Sequence, residues 1–120
     1  MTVRKVLCVD DVAADLACIQ KIVNNAAIQV ITATGGVEAL ERARNEAPDL
    51  IFLDILMPDL DGFAVMRALQ KEPATRDIPV VFVSSKSQKA DQMWAKMQGG
   101  KGFVPKPATP ETVLDELKKF

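Results

Sequence analysis

A chain of 120 residues, 48% hydrophobic and 26% charged with a formal net charge of -1, can bury one substantial core and is too short for two. The near-neutral balance without a basic block speaks against nucleic-acid binding, and no apolar run approaches the ~20 residues of a membrane span. With no signal-peptide pattern at the N-terminus, the expectation is a single cytoplasmic, monomeric domain over residues 1–120.

The predicted elements alternate strand and helix throughout. Lys5 to Val9 reads as a strand, and a helix from about Val12 to Asn25 places Leu16, Ile19 and Val23 on one face. Gln29 to Thr34 alternates with β-branched residues and reads as the second strand. Gly35 and Gly36 open a helix with Val37, Leu40 and Ala43 inward, and Pro48 closes it. Asp49 to Asp54 is apolar on both faces, the pattern of a central parallel strand. A loop from Met57 to Gly62 leads to a helix carrying Phe63, Met66 and Leu69. Pro79 precedes a strand over Val80 to Val83, and a helix from about Ser87 to Gln98 puts Ala90, Met93, Trp94 and Met97 on one stripe, the spacing of core packing, or, if Trp94 is partly exposed, of an anchor for a partner. Gly102 to Val104 is a short strand, with Pro105 fitting an edge position. The last helix has Thr109 as N-cap, Pro110 in its first turn, and Val113, Leu114 and Leu117 apolar. Cys8 and Cys18 fall where a strand and a helix are expected to bury them, without CxxC spacing, so they read as reduced core residues.

Five strands alternating with five helices predict an α/β doubly wound parallel sheet, flavodoxin-like, in the order 2-1-3-4-5. That order sets the ends of strands one and three side by side at the switch point, where ligands bind. Asp10 and Asp11 end the first run, Asp54 ends the third, and Lys106 follows the fifth. Three crowded carboxylates repel unless a cation lies among them, and a divalent ion together with a lysine would satisfy them. The hard oxygen ligands and the absence of any histidine select Mg²⁺.

Each residue has a plainer reading beside this one. An aspartate after a strand is a favoured N-cap, which explains one of the Asp10–Asp11 pair and leaves the other without a reason. Asp54 alone suits a turn; beside two acids it suits a nucleophile or a ligand. Lys106, between two prolines, is either solvated or aimed at the acids, with Pro107 favouring extended geometry before it. Ser84 and Ser85 are either turn residues or hydroxyls facing a bound anion.

The segments VLCVDD, LIFLDILMPDLDG, VVFVSS and GFVPKP, in this order and at these intervals, identify the chain as resembling the receiver domain of two-component response regulators, of the CheY-like stand-alone kind. The segment DQMWAKMQGGKGF is similar to the PilH-like regulators of type IV pilus twitching motility. The resemblance implies that Asp54 accepts a phosphoryl group from a phosphohistidine on a sensor histidine kinase. It implies Mg²⁺ held by Asp11 directly, by Asp10 through water, by Asp54 and by the backbone carbonyl of Leu56. It further assigns Lys106 and the Ser84 hydroxyl to the phosphoryl oxygens, with Ser84 and Phe103 as the switch pair. The implied output is a reshaped face of helix four, strand five and helix five that binds a downstream protein, with no separate output domain expected after Phe120. Phe103 lacks the hydroxyl often found there, so only packing can favour its inward state, and Leu56 and Lys86 stand where the family tunes phosphoryl lifetime.

Rival functions are a receiver-shaped interaction module that is never phosphorylated, a phosphate sink for a partner regulator, an Mg²⁺-dependent phosphatase and a flavin module. The phosphatase needs a second acid where Leu56 stands, and a flavin phosphate would be repelled by acids at the first strand end. The chain is therefore expected to be a signalling protein whose only catalysis is its own phosphotransfer and autodephosphorylation.

Overall fold

Parallel strands that are apolar on both faces must be covered by helices on both sides, and this requirement sets the architecture. The computed structural model describes residues 2–120. The elements run β1 (Lys5–Val9), α1 (Ala13–Asn25), β2 (Gln29–Ala33), α2 (Gly36–Glu46), β3 (Leu50–Asp54), α3 (Gly62–Lys71), β4 (Val80–Ser84), α4 (Lys89–Met97), β5 (Gly102–Pro105) and α5 (Pro110–Leu117). The five strands form one parallel sheet in the order β2-β1-β3-β4-β5. This is the predicted topology. β3 and β4 lie inside the sheet and are buried along their whole length, and β2 and β5 form its edges.

The sheet divides the core into two layers. One side packs Leu16, Ile19, Ile22 and Val23 of α1 and Val113 and Leu117 of α5 against Cys8, Phe52 and Val81. The other packs Ala39 and Ala43 of α2, Val65, Met66 and Leu69 of α3, and Ala95 of α4 against Leu7, Leu53 and Phe82. Phe52 and Phe82 are the largest fully buried side chains, one per layer. Truncating either to Ala is expected to cost about 3–5 kcal/mol.

Three sequence expectations are corrected here. In α2 the buried face is Gly36, Ala39 and Ala43, while Val37 is exposed; the small residues let the helix lie close to the sheet. In α4 only Ala95 is buried, and Met93, Trp94 and Met97 are 58%, 52% and 72% exposed. The apolar stripe on that helix is a surface feature and not core packing. Cys18 is exposed, its thiol 3.4 Å from the Ala108 carbonyl oxygen, whereas Cys8 is buried as expected. Burial alone pushes the Cys8 thiol up to about 12, which keeps it protonated and inert.

The helix starts are capped in part by distant side chains. Thr109 caps α5 as predicted, accepting from the Thr112 amide. α2 begins after Gly35, which has no side chain to offer, and Asp59 from the β3–α3 loop accepts from the Gly36 and Val37 amides at 3.1 Å each. Those bonds hold the Asp59 carboxyl below its ordinary range, and they tie the loop after β3 to the helix on its flank.

Candidate functional site

Strand register decides which acids meet. Val9 pairs with Leu53, so the residues that follow, Asp10 and Asp54, come side by side at the carboxyl edge. Asp54 in turn pairs with Val83, and Ser84 pairs with Pro105, which delivers Lys106 to the same edge. The Lys106 amide donates to the Ser84 carbonyl at 2.9 Å and continues the ladder past the strand end. The Lys106–Pro107 peptide bond is cis.

The Lys106 ammonium then reaches across β4. Its Nζ lies 2.8 Å from Asp10 Oδ2, 3.1 Å from Asp54 Oδ1 and 3.2 Å from Asp15 Oδ2. Asp10 and Asp54 are buried and Asp11 is exposed. One carboxylate oxygen from each of Asp10, Asp11 and Asp54 falls within a common span of 4.8 Å. The predicted convergence of three acids and one amine is therefore present. The plainer N-cap reading does not hold, because Val12 is the N-cap of α1 and no side chain caps it. Asp10 Oδ1 instead accepts from the Val12 amide at 2.9 Å and shapes the turn that leads into the helix. Asp11 makes no such turn.

Electrostatics follow from this crowding. Burial, then the Asp10 charge, push the Asp54 carboxyl up to about 6, and the bond from Lys106 opposes them. Burial draws the Lys106 ammonium down, but its hydrogen bonds to Asp10 and Asp54 outweigh that and hold it above the ordinary lysine value. The site is short of positive charge, because one ammonium faces four carboxylates.

Ser84 is buried, and its hydroxyl oxygen accepts from the Lys86 amide at 3.1 Å, so it serves as a turn residue in this state. Its hydroxyl hydrogen remains available as a donor. Phe103 is half-buried, packed at the margin of the layer that contains Phe82. It lines a groove of about 590 Å³ between α4, β5 and α5, together with Met93 and Lys89, Lys96, Lys101 and Lys119. Leu56 lies in the β3–α3 loop and is 56% exposed. Gly62 packs that loop down: its amide donates to the Ile55 carbonyl at 2.8 Å, and a Cβ there would run into the Asp54 carbonyl oxygen.

Sequence reasoning missed two participants. Asp15 sits in the first turn of α1, where an acid also reads as a partner of the helix dipole; its spacing of one turn from Asp11 was the available signal. Asp59 caps α2 from 22 and 23 residues away, and nothing local marks it.

The sequence matches the response regulator receiver domain over residues 6–118. The chain belongs to this family. It is 36% identical over 113 residues to protein PilH of Pseudomonas aeruginosa, covering 94% of this chain and 93% of that protein. It is 36% identical over 103 residues to the response regulator PleD of Caulobacter vibrioides, covering 86% of this chain and 23% of that protein. Among solved structures, the chemotaxis response regulator CheY4 of Vibrio cholerae superposes with a TM-score of 0.89 at 30% identity, covering 98% of both chains. The receiver fold and the clustered acids go together in this protein, and receivers are signalling proteins rather than metabolic enzymes. Among the described residues no helix is long and apolar enough to cross a membrane.

Proposed function

We propose that residues 1–120 act as one receiver unit that takes a phosphoryl group onto Asp54 from the phosphohistidine of a sensor kinase. The carrying observation is the Lys106 bridge between Asp10 and Asp54 beside an exposed third acid. Lys106 holds Asp54 Oδ1, which leaves Oδ2 to attack the donor phosphorus. The new P–O bond forms as the donor P–N bond breaks; the electron pair of that bond stays on the departing nitrogen, and the imidazole leaves as a neutral ring because its other nitrogen already carries a proton. Transfer of this kind needs alignment and positive charge more than covalent help.

The donor set fits Mg²⁺. The available donors are hard oxygens, and one carboxylate oxygen from each of three acids lies within 4.8 Å of the others. Asp11, exposed, would bind directly; Asp10, with both oxygens engaged, would bind through water; Asp54 and the Leu56 carbonyl would complete the protein's share. Bound there, the ion supplies the charge compensation that one lysine cannot.

A phosphoryl group on Asp54 adds negative charge and acceptor oxygens beside Ser84, whose hydroxyl can turn to donate. Movement of the β4–α4 turn toward the site opens room for the half-buried Phe103 ring, and the lysine-rich groove beside it changes shape. That face binds the downstream target in this reading. The PilH and CheY4 relationships favour a type IV pilus or chemotaxis-like pathway.

Incubation with acetyl phosphate and Mg²⁺ tests the reading. A mass gain of one phosphoryl group, lost in Asp54→Ala, supports it. Wild-type protein that stays unmodified would favour an interaction module instead.

A further inference from the structure

Lys106 is held by one carboxylate more than phosphoryl transfer requires. Asp10 and Asp54 belong to the acidic cluster. Asp15 does not, yet its Oδ2 takes a hydrogen bond from Nζ at 3.2 Å. Its side chain is 42% exposed, against 5% for each of the other two.

We propose that Asp15 is a positioning residue that occupies Lys106 in the resting state and releases it when a phosphoryl group arrives on Asp54. The proposal rests on the reading of Asp54 as the acceptor. An ammonium has three N–H donors, and here three carboxylates account for all of them. A phosphoryl oxygen that claims Lys106 must displace one acceptor. Leaving Asp10 or Asp54 buried and unpaired is the costly choice. Asp15 can turn to water, because an exposed ion pair contributes little net stability.

Release of Asp15 does not undo the placement of Lys106. Its backbone is fixed by the amide bond to the Ser84 carbonyl, and the Cys18 thiol meets the Ala108 carbonyl oxygen between α1 and the segment beyond Lys106. Asp15 therefore competes with the phosphoryl group for the ammonium, and its charge opposes the arriving anion. Its effect is a bias against the phosphorylated state.

The test is the affinity of the full chain for beryllofluoride, a phosphoryl mimic, at saturating Mg²⁺. Asp15→Asn is expected to bind on the order of 3- to 5-fold more tightly than wild type, the scale of a partly exposed ion pair. Asp15→Glu, which keeps the charge, should return the affinity to near the wild-type value. Glu111→Gln removes a first-turn acid of α5 that is not among the ion-pair partners of Lys106, and should change nothing. Asp15→Ser repeats the test with a residue suited to a helix start, should the Asn variant fold poorly. Equal or weaker binding by the neutral variants overturns the proposal. No binding by the wild type overturns the acceptor reading itself.

Discussion

The Lys106 ammonium lies 2.8 Å from Asp10 Oδ2 and 3.1 Å from Asp54 Oδ1, although it follows an edge strand that pairs with neither β1 nor β3. The side chain spans the end of β4 to reach them. It supplies the cluster's one direct positive charge, so the stability of the sheet edge depends on it.

Removing that charge should be costly. Lys106→Met leaves two buried carboxylates without their cation, and the loss is expected to be about 3 kcal/mol. Urea denaturation at pH 7 in chelator measures it. A loss below ~1 kcal/mol would show that solvent already compensates Asp10 and Asp54.

Asp54 should make the metal-free protein less stable as pH rises. The folded chain keeps the Asp54 proton up to about pH 6, while the ordinary carboxyl releases it at 3.8. Between those values the folded state binds the extra proton, so stability falls with rising pH across this window and stays lowered above it. Asp54→Asn cannot ionise and escapes the fall. In chelator at pH 7 the variant is expected to be more stable than wild type by about 2 kcal/mol, with the gap closing near pH 4. Added Mg²⁺ should narrow the gap at pH 7 by stabilising the wild type more than a variant that has lost one carboxylate ligand. Parallel stability curves from pH 4 to 7 would contradict the assignment.

Gly62 should tolerate no side chain. An added Cβ would collide with the Asp54 carbonyl oxygen and lie 2.9 Å from the Ile55 Cα, and both are backbone atoms with little room to give. Gly62→Ala is expected to lose about 1–3 kcal/mol, although alanine otherwise favours a helix. Thermal unfolding checks this, and an unchanged or higher Tm would refute the close approach.

Trp94 offers a way to separate packing from recognition. Half its surface is exposed, and its ring meets Phe63 edge-on with centroids 6.5 Å apart. Trp94→Ala should cost stability by no more than about 1 kcal/mol, the scale of one aromatic pair. Affinity for the downstream target should fall much further, because exposed tryptophans on binding faces are frequent anchors. A large fall in Tm with affinity intact would discard the anchor.

The fold was legible because β1, β3 and β4 are continuous apolar runs and helices separate them at regular intervals. The acidic site was legible for the same reason: charges that terminate such runs must gather at one edge once the strand order is known. What escaped was tertiary. In α2 the buried positions are Gly36, Ala39 and Ala43, small residues whose periodic signal is weaker than that of Val37, which faces solvent. In α4 the stripe of Met93, Trp94 and Met97 has the spacing of a core helix, yet a single alanine makes the contact. Periodicity identifies an apolar face without saying what covers it. Asp15 and Asp59 act on partners 91 and 22–23 residues away, so only the assembled sheet reveals them.

The most direct measurement of the central claim is the position of the label after treatment with acetyl phosphate. Reductive trapping followed by peptide sequencing should place it on Asp54 alone, and only when Mg²⁺ is present. Label on Asp59 or Asp61, or label that forms equally well in chelator, would contradict the account.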